Sequence, residues 1–395
     1  MRSRFGGSPS ALRRAHSSKG SRAGMRATRT LLARQPPDTL HGITRARSRP
    51  GYAPMSVKLS DVLKDADKSS GVDSAVSEYE EQFKSAERGG SDAETSQHTS
   101  VNNLYYDLVT DFFEYGWGKS FHFAPRVPGE SFKASLARHE HYMAHTLGLR
   151  PGMVVADIGC GVGGPLMEIA RFSGARVVGI NSNAYQLERA RKLTDEAKLT
   201  DLADFIHCDF LNVEAPDESF DAAYSIEASC CAPDKVSIYR EIYRLLKPGA
   251  CFGAYEYCMT DRFDPTNPRH VRIKADIQLG GGLLIIDDYQ TVDDALRTVG
   301  FEVLETRDLT FQTGPSIPWY QPLAGSGISL ASFRSSRIGR SVTHGTLKVL
   351  EALRIVPQGS VRVADTLNLC AVAMVEAGRL GIFTPMYFVH ARKPG

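Results

Sequence analysis

The sequence has no C-x-x-C cysteine pair and no long apolar run. None of its seven cysteines belongs to a C-x-x-C motif, and most lie in apolar, strand-like stretches. This pattern is typical of buried thiols in a reducing compartment. No run reaches the roughly 18 apolar residues that a membrane-spanning helix needs, so we expect any membrane contact to be peripheral.

Acidic residues are almost absent from the first 50 positions. Residues 1–50 hold 12 Arg and Lys residues but a single acid, Asp38, which leaves 35 basic and 44 acidic residues in 51–395. A body with this acidic balance is not expected to bind nucleic acid. We predict that residues 1–54 form a disordered basic extension. A transit peptide, a plain tail and an over-extended reading frame all fit its composition.

The central part of the sequence alternates short apolar runs with helical stretches. We predict strands at residues 153–158, 175–180, 203–208, 220–226, 250–256 and 301–306. Helical patterns lie between them, at residues 165–172, 184–198, 235–246 and 291–299. This alternation predicts an α/β fold, a parallel sheet wrapped by helices, with its core at residues 151–309.

Helical segments flank this core on both sides. Residues 55–150 are predicted to hold helices at 58–88, 105–117 and 132–147, with 99–103 as a capping segment. In the first helix, an apolar stripe is expected from Val72, Val76, Tyr79 and Phe83. Residues 310–381 are predicted to form a helical insertion, with a loop at 311–325 and helices at 328–352 and 361–377. A last strand at 386–391, within 382–395, is expected to follow Pro385 and return to the sheet.

A glycine-rich turn follows the first predicted strand. Gly159-x-Gly161-x-x-Gly164 matches the fingerprint of dinucleotide-binding folds. Asp157-x-Gly159-x-Gly161 equally matches the S-adenosylmethionine (SAM) site of doubly wound methyltransferases. The second strand ends in Asn181 and not in the acidic residue that NAD-binding folds use for the ribose, which weakens the dinucleotide interpretation. The commonest SAM pattern also has an acidic residue there, although Asn181 and Gln186 could still hydrogen-bond the ribose hydroxyls.

Aromatic residues are concentrated in residues 105–123. Eight of these 19 residues are aromatic, against 9% overall, and Asp107, Asp111 and Glu114 lie among them. This composition fits an aromatic packing face, but it also predicts a pocket wall for a large apolar substrate. Aromatic faces beside a carboxylate would stabilise a transient cation.

Six segments of the sequence together resemble the sterol 24-C-methyltransferases. They are YYDLVTDFFEYGWGKSFHF, ARHEHYMAHTLGL, ADIGCGVGGP, YSIEASCCAP, EIYRLLKPG and FTPMYFVHARKP. The resemblance runs from about Ala93 to the C-terminus; EYGWG with SFHF is its specific part, whereas the glycine motif is common to many methyltransferases. It implies a doubly wound, Rossmann-like sheet that binds SAM, with N-terminal helices and a helical insertion before the last strand.

The same resemblance implies an activity and a setting. The family transfers a methyl group from SAM to C24 of a Δ24-sterol side chain through a carbocation, in sterol biosynthesis. We therefore expect a sterol substrate and peripheral contact with the endoplasmic reticulum or another intracellular membrane. An organelle is expected instead if residues 1–54 are a transit peptide, and a homo-oligomer is left open.

Individual residues acquire roles from this resemblance. Asn181, Asn183 and Gln186 would face the ribose, and Asp209 and Phe210 would flank the adenine. The full set expected to contact the cofactor is Phe121, His122, Asp157, Gly159, Cys160, Gly161, Asn181, Asn183, Gln186, Asp209 and Phe210. The residues expected to hold the cation or remove its proton are Glu114, Tyr115, Trp117 and Glu227.

Three positions depart from the family pattern, and two other functions remain open. Cys231, Tyr257 and Gly281 stand where the family usually has His, Trp and Asp, which affects expectations about substrate preference and rate more than about reaction type. A methyltransferase of another lipid, such as an unsaturated acyl chain or a prenylated ring, and a non-catalytic SAM-binding protein are the alternatives. No metal site is expected from His139, His141 and His145, because no H-E-x-x-H motif is present.

Overall fold

A computed structural model describes residues 71–89, 95–310, 316–324 and 337–395. Within these ranges the side chains of residues 87–89, 95–97, 115, 337, 338, 340 and 343 are not described. The predicted extension at 1–54 lies outside the described residues. So do residues 58–70 of the first predicted helix, residues 311–315 and 325 of the predicted loop, and residues 328–336 of the predicted helix that follows it.

The centre of the molecule is an eight-stranded sheet. Its strands are β1 (Val154–Ile158), β2 (Arg176–Asn181), β3 (Ala203–His207), β4 (Phe220–Ile226), β5 (Leu246–Met259), β6 (Asp287–Asp288), β7 (Glu302–Asp308) and β8 (Phe383–Arg392). The order is β3-β2-β1-β4-β5-β8-β7, with the short β6 beside β5. Strands β1 to β6 pair in parallel, whereas β8 runs antiparallel between β5 and β7.

Helices cover the two faces of this sheet. They are α1 (Gly71–Gly89), α2 (Thr95–Gly116), α3 (Phe132–Thr146), α4 (Gly164–Ser173), α5 (Ala184–Glu196), α6 (Lys235–Leu245), α7 (Pro268–Gly281), α8 (Tyr289–Val299), α9 (Gln321–Ala324), α10 (Arg337–Ala352) and α11 (Ser360–Leu380). One buried cluster joins the sheet to α3, α4 and α5, and a second joins it to α6 and α8. The predicted α/β, doubly wound fold class is confirmed.

The N-terminal helices pack against the helical region near the C-terminus. The predicted stripe of α1 is buried: Val72, Val76, Tyr79 and Phe83 share a cluster with residues of α2 and with Val363 of α11. The predicted capping segment at 99–103 is wrong, because these residues lie inside α2, which begins at Thr95. The long helix carries the aromatic segment from the α1 contact towards the sheet.

Helix α7 is an element that the sequence analysis missed. It begins with two recognisable signals: Asn267 accepts a hydrogen bond from the backbone N–H of Arg269, and Pro268 occupies the first turn. A side-chain carbon added at Gly280 would lie 2.7 Å from Cys370 of α11, so the two helices approach very closely there. This close packing builds one wall of the cavity described below.

The last strand, β8, lies between β5 and β7 and not at an edge of the sheet. Its Pro385 precedes Tyr387, the first residue of β8 that pairs with β7. In the pairing with β5, Pro385 lies at a register shift between Thr384 and Tyr387. The missing N–H of proline therefore removes no bond from either ladder. In the part of the chain that the structure describes, no helix is both long and apolar enough to cross a membrane.

Candidate active site

The glycine turn after β1 leaves an open space at the carboxyl edge of the sheet. Gly159 has a φ of +78°, and an added side-chain carbon would lie 2.3 Å from that of Ala228. Gly161 has a φ of +53°, and nothing in the described residues lies within 4 Å of a carbon added there. The turn thus combines a close approach at Gly159 with free space at Gly161.

That free space belongs to a cleft with about 800 Å³ of empty volume. Its walls come from the glycine turn, the ends of β2, β3 and β4, the N-terminal half of α2 and the segment after α2. Of the predicted cofactor residues, the cleft is lined by Phe121, His122, Gly159, Cys160, Gly161, Asn181, Gln186, Asp209 and Phe210. A cleft at this position, at the carboxyl edge of the sheet and the amino end of α4, lies where open α/β sheets bind ligands, and its backbone and amide groups could hydrogen-bond SAM.

Two predicted cofactor residues lie behind the walls of this cleft. Asn183 caps α5: its side chain accepts from the Gln186 backbone N–H at 2.8 Å and donates to Asp107 at 2.8 Å. Burial raises the pKa of Asp157 to about 7. The Asp157 Oδ2 atom and the nearby Tyr224 hydroxyl lack a hydrogen-bond partner of normal geometry among the described residues. Asn183 and Asp157 therefore support the walls of the cleft and do not line its open space.

A second cavity, larger and apolar, lies next to the first. It has about 1310 Å³ of empty volume, part of which is open to solvent. Helices α2, α7 and α11 form its walls. The aromatic segment supplies Tyr105, Tyr106, Phe112, Phe113, Trp117, Phe121 and Phe123 to its lining. The cavity therefore has the apolar, aromatic wall expected for a large apolar ligand.

The two cavities meet at four residues. Tyr106, Phe121, His122 and Glu227 line both of them. A ligand in the cofactor cleft and a ligand in the apolar cavity would therefore meet at these four side chains: a carboxyl, an imidazole and two aromatic rings. This junction is where a donor and an acceptor could be brought into contact.

Glu227 is held at this junction by strained backbone and by two donors. It follows β4 with a φ of +54°, which is unusual for a residue with a side chain. Its Oε1 atom accepts from the Phe123 backbone N–H at 2.7 Å, and its Oε2 atom accepts from the Tyr257 hydroxyl at 2.8 Å. Burial raises the pKa of Glu227 to about 8, although the charge of His122 and both donors oppose the rise.

His122 forms a buried ion pair beside Glu227. Its Nδ1 atom lies 2.7 Å from the Phe123 carbonyl oxygen, and its Nε2 atom lies 2.9 Å from Glu140 Oε1. Both neighbours are acceptors, so both ring nitrogens donate and the ring is an imidazolium. Burial disfavours this charge, but the hydrogen bond to Glu140 and the charges of Glu140 and Glu227 raise the pKa of His122. Since Glu140 balances His122, the carboxyl of Glu227 decides the charge of the junction.

Trp117 presents its ring to the apolar cavity in a fixed orientation. Its Nε1–H donates to the His122 carbonyl oxygen at 3.0 Å. Its ring packs edge-to-face against Phe123 and Phe132, with centroids 5.0 and 4.9 Å away. The backbone that positions His122 therefore also positions Trp117.

The structure does not bring the other predicted catalytic carboxylate to this cavity. Glu114 forms a two-pronged ion pair with Arg189 of α5, with N–O distances of 2.7 and 3.2 Å, and it lines neither cavity. A carboxylate neutralised by a guanidinium is a poor acceptor for a proton. The side chain of Tyr115 lies outside the described residues. Of the predicted catalytic residues, Trp117 and Glu227 line the apolar cavity.

The three family departures all lie at these cavities. Tyr257 binds Glu227, as described, and Cys231 lines the cofactor cleft with its sulfur 3.8 Å from the Tyr106 hydroxyl. Gly281 lines the apolar cavity where α7 ends. The functional residues that sequence reasoning missed are Tyr106, Glu140 and the role of Tyr257. For Tyr257, the available signal in the sequence was that it stands where the family usually has Trp.

Comparison with known proteins agrees with this geometry. Residues 330–395 match the family model described as sterol methyltransferase C-terminal, and residues 156–253 match that of a methyltransferase domain. A cycloartenol-C-24-methyltransferase of Oryza sativa is 49% identical over 82% of this chain and 93% of its own length. A sterol 24-C-methyltransferase of Saccharomyces cerevisiae is 44% identical over 75% of this chain and 79% of its own.

The fold also recurs among solved structures. A cyclopropane synthase of Mycobacterium tuberculosis superposes with a TM-score of 0.54 at 17% identity, covering 73% of this chain and 94% of that one. At this identity the likeness concerns the fold alone.

Proposed function

Since this chain belongs to the sterol 24-C-methyltransferases, a family of SAM-dependent C-methyltransferases, we propose that it methylates C24 of a sterol side chain that carries a C24=C25 double bond. The observation that carries the proposal is the junction at Glu227, where a polar cleft and a large apolar cavity share four residues. A sterol in the apolar cavity would place its side chain at this junction.

The first task of these residues is alignment in a dry site. Bound SAM supplies an electrophilic methyl group, and the alkene supplies the electron pair of the new carbon–carbon bond. No base is needed for this step, so its rate depends on how well the two reacting carbons are aligned. The aromatic lining holds the side chain and excludes water, which would otherwise capture the cation.

The second task is to hold positive charge and then remove one proton. Bond formation leaves a cation on the sterol side chain. Tyr106, Phe121 and Trp117 line the cavity with aromatic rings, whose faces attract a cation, and ionised Glu227 offers a negative charge. The Glu227 carboxylate would then accept the proton whose loss forms the product alkene. Phe123 N–H and the Tyr257 hydroxyl orient the carboxylate for this step.

A substrate panel tests the proposal directly. Purified full-length chain is incubated with labelled SAM and a set of Δ24-sterols, including cycloartenol, which the name of the rice relative suggests. Products are identified by mass spectrometry. Transfer to a Δ24-sterol, and none to its side-chain-saturated analogue, is the expected result. Transfer to unsaturated acyl chains alone would favour a methyltransferase of another lipid, and SAM binding without any transfer would favour a non-catalytic protein.

Replacing Trp117 with leucine tests the aromatic wall. A cation over an aromatic face gains roughly 0.5–2 kcal/mol, and about 1.4 kcal/mol of transition-state stabilisation is a factor of ten in rate. We expect Trp117→Leu to lower kcat about tenfold with little change in SAM affinity. A sterol analogue with an ammonium group near C25 should inhibit the wild type tightly and the variant weakly.

Phe132→Leu is the matched control for this test. Phe132 packs on Trp117 but does not line the cavity. Similar losses in both variants would show that the aromatic residues serve packing. Tyr115→Leu is predicted from the sequence to behave like Trp117→Leu.

Peripheral contact with an intracellular membrane, such as the endoplasmic reticulum, is a further part of the proposal. The apolar substrate resides in membranes, and α10 carries exposed apolar side chains. Val342 and Val349 of α10, and Leu353 in the turn directly after it, are 56, 57 and 63% exposed, at spacings of seven and four residues that place them on one side. Such a face fits the boundary between headgroups and acyl chains.

Charges introduced on this face should abolish membrane contact. We expect the wild type to co-sediment with liposomes and Val349→Glu/Leu353→Glu to stay in the supernatant. The control is Val271→Glu/Leu304→Glu, which alters two exposed apolar residues of α7 and β7. Equal co-sedimentation of all three proteins would refute a role for α10, and a soluble wild type would refute the contact itself.

A further inference from the structure

A third cavity lies apart from the two described above and shares no lining residue with either. It has about 840 Å³ of empty volume. Its walls come from the turns after β5 and β7, the segment before α9 and the C-terminal end of α11. Its lining includes three arginines, Arg126, Arg262 and Arg379, and a single acid, Asp308. This is a concentration of positive charge that the methyl-transfer reaction does not use.

The acid in this cavity forms no ion pair with the arginines among the residues that the structure describes. Asp308 Oδ1 accepts hydrogen bonds from the hydroxyls of Thr310 and Thr384 at 2.7 and 2.8 Å. Its Oδ2 atom accepts from the Tyr289 hydroxyl at 2.7 Å. These bonds occupy the carboxylate with neutral donors. The guanidinium groups are left to attract another anion.

Arg126 is the buried member of the group. It is only 8% exposed, and its Nη1 donates to the amide oxygen of Gln321. Its Nε–H is buried without a hydrogen-bond partner among the described residues. Desolvation lowers the pKa of Arg126, which means that burial of its charge is incompletely compensated. An unsatisfied buried guanidinium is costly unless a ligand provides acceptors.

Arg262 and Arg379 form the outer part of the cavity. Both are exposed, and neither makes an ion pair within the described ranges. The neighbouring acid Glu376 is paired with Arg269 and Arg272 instead. Arg262 passes so close to Gly381 that a side-chain carbon there would lie 2.9 Å from its Nη1 atom. The C-terminus of α11 carries a partial negative charge that attracts the guanidinium of Arg262. This attraction leaves the N–H groups of Arg262 available to a ligand.

We propose that this cavity binds a phosphate group. A guanidinium is planar and presents pairs of parallel donors that match phosphate oxygens. The three arginines and Asp308 together give the cavity a net charge of +2, which matches the two negative charges of a phosphate dianion. The phosphate could belong to a phospholipid headgroup or be free in solution. The two sources share this chemistry and differ in whether a bilayer is needed.

A phosphate bound in this cavity would contact residues that pack against the wall of the apolar substrate cavity. Trp319 lines the arginine cavity and packs edge-to-face on Phe123, with ring centroids 5.0 Å apart. Phe123 lines the apolar cavity, and its backbone N–H holds Glu227. A phosphate beside Trp319 therefore contacts the outer side of the wall whose inner side faces the substrate.

Binding measurements on the full-length chain test the proposal. Inorganic phosphate is added in equilibrium dialysis, and vesicles of phosphatidylcholine with or without phosphatidic acid are used for co-sedimentation. The variant is Arg262→Gln/Arg379→Gln, which spares the buried Arg126 and the fold. The control is Arg150→Gln/Arg240→Gln, which removes two charges from exposed arginines outside the cavity.

We expect the wild type and the control to bind phosphate, and the Arg262/Arg379 variant to bind it at least about tenfold more weakly. Binding only to vesicles that contain phosphatidic acid, lost in that variant alone, would also support the site and identify a headgroup as its ligand. The proposal is overturned if neither probe binds, or if the variant and the control bind as the wild type does.

Discussion

Replacing Glu227 with glutamine is expected to lower kcat by about 100- to 10,000-fold while the affinity for SAM changes little. Glutamine keeps an acceptor for the Phe123 N–H, so the local fold survives. It removes the negative charge that faces the cation and the group that accepts the proton. Single-turnover rates with labelled SAM measure the first effect, and calorimetric titration with SAM measures the second.

The pH dependence gives this prediction a second, independent readout. The pKa of Glu227 is raised to about 8, so the ligand-free protein carries a protonated carboxyl at neutral pH. If the ionised form is required, kcat/KM rises with pH towards about 8 and then levels off. A bound sulfonium would lower this pKa, so the rise in kcat should occur at a lower pH. Both rises should disappear in Glu227→Gln.

The same shift predicts how stability depends on pH. The folded protein retains the Glu227 proton above the ordinary value of 4.5, at which the unfolded chain loses it. The stability that this proton contributes is therefore lost as the pH rises from about 4.5 to about 8. Glu227→Gln lacks this loss, so its Tm relative to the wild type should increase over that range.

Glu114→Gln is the informative comparison. The sequence alone assigns the two carboxylates similar roles, but the structure pairs Glu114 with Arg189. We expect Glu114→Gln to retain most activity, because it changes an ion pair outside the cavity. A severe loss in Glu114→Gln beside a nearly normal Glu227→Gln would reverse the assignment.

Replacing Gly161 with valine should abolish measurable SAM binding, a weakening of at least about 100-fold. Gly161 lines the cofactor cleft, and no described atom lies within 4 Å of an added carbon. The new side chain would therefore occupy the space left for the cofactor. Calorimetric titration with SAM provides the measurement, and thermal melting confirms that the variant is folded.

Gly148→Val separates this effect from backbone strain. Gly148 has a φ of +61°, close to the +53° of Gly161, and has equally open surroundings. It lies after α3, before the first strand, and does not line the cleft. Both variants carry the strain of about 1–2 kcal/mol that a side chain suffers in this conformation. Normal SAM binding by Gly161→Val, or equal loss in both variants, would contradict the assignment of the cleft.

Local sequence patterns predict the central sheet well, because each strand and each helix has its own periodicity. The glycine turn, β1 and α4 were placed within a residue or two of their observed bounds. The start of α2 was misplaced, since polar residues such as Thr99 and Asn103 favour helix caps, whereas here they lie inside the helix and face the polar cleft. Helix α7 was missed although its Asn267-Pro268 start follows the rules for a cap.

The site itself depends on contacts that local patterns cannot specify. Phe123 and Tyr257 reach Glu227 from elements far from it in the sequence, and only the assembled sheet brings the three together.

The orientation of Glu114 is different, because helical periodicity gives it. At 100° per residue, Tyr105, Tyr106, Phe112 and Phe113 fall on one half of α2 and Glu114 falls on the other half. Glu114 therefore points away from the aromatic face, and it pairs with Arg189 of α5.

The position of β8 has a consequence for synthesis on the ribosome. Strand β7 pairs with β8 and with no other described strand, yet about 75 residues separate the end of one from the start of the other. At about 5–20 residues per second, β7 is exposed for on the order of 4–15 s before its partner is made. Its sequence, EVLETRD, carries Glu302, Glu305, Arg307 and Asp308. Such charges discourage pairing with a strand of another nascent chain, so the composition of β7 suits a strand that must wait for its partner.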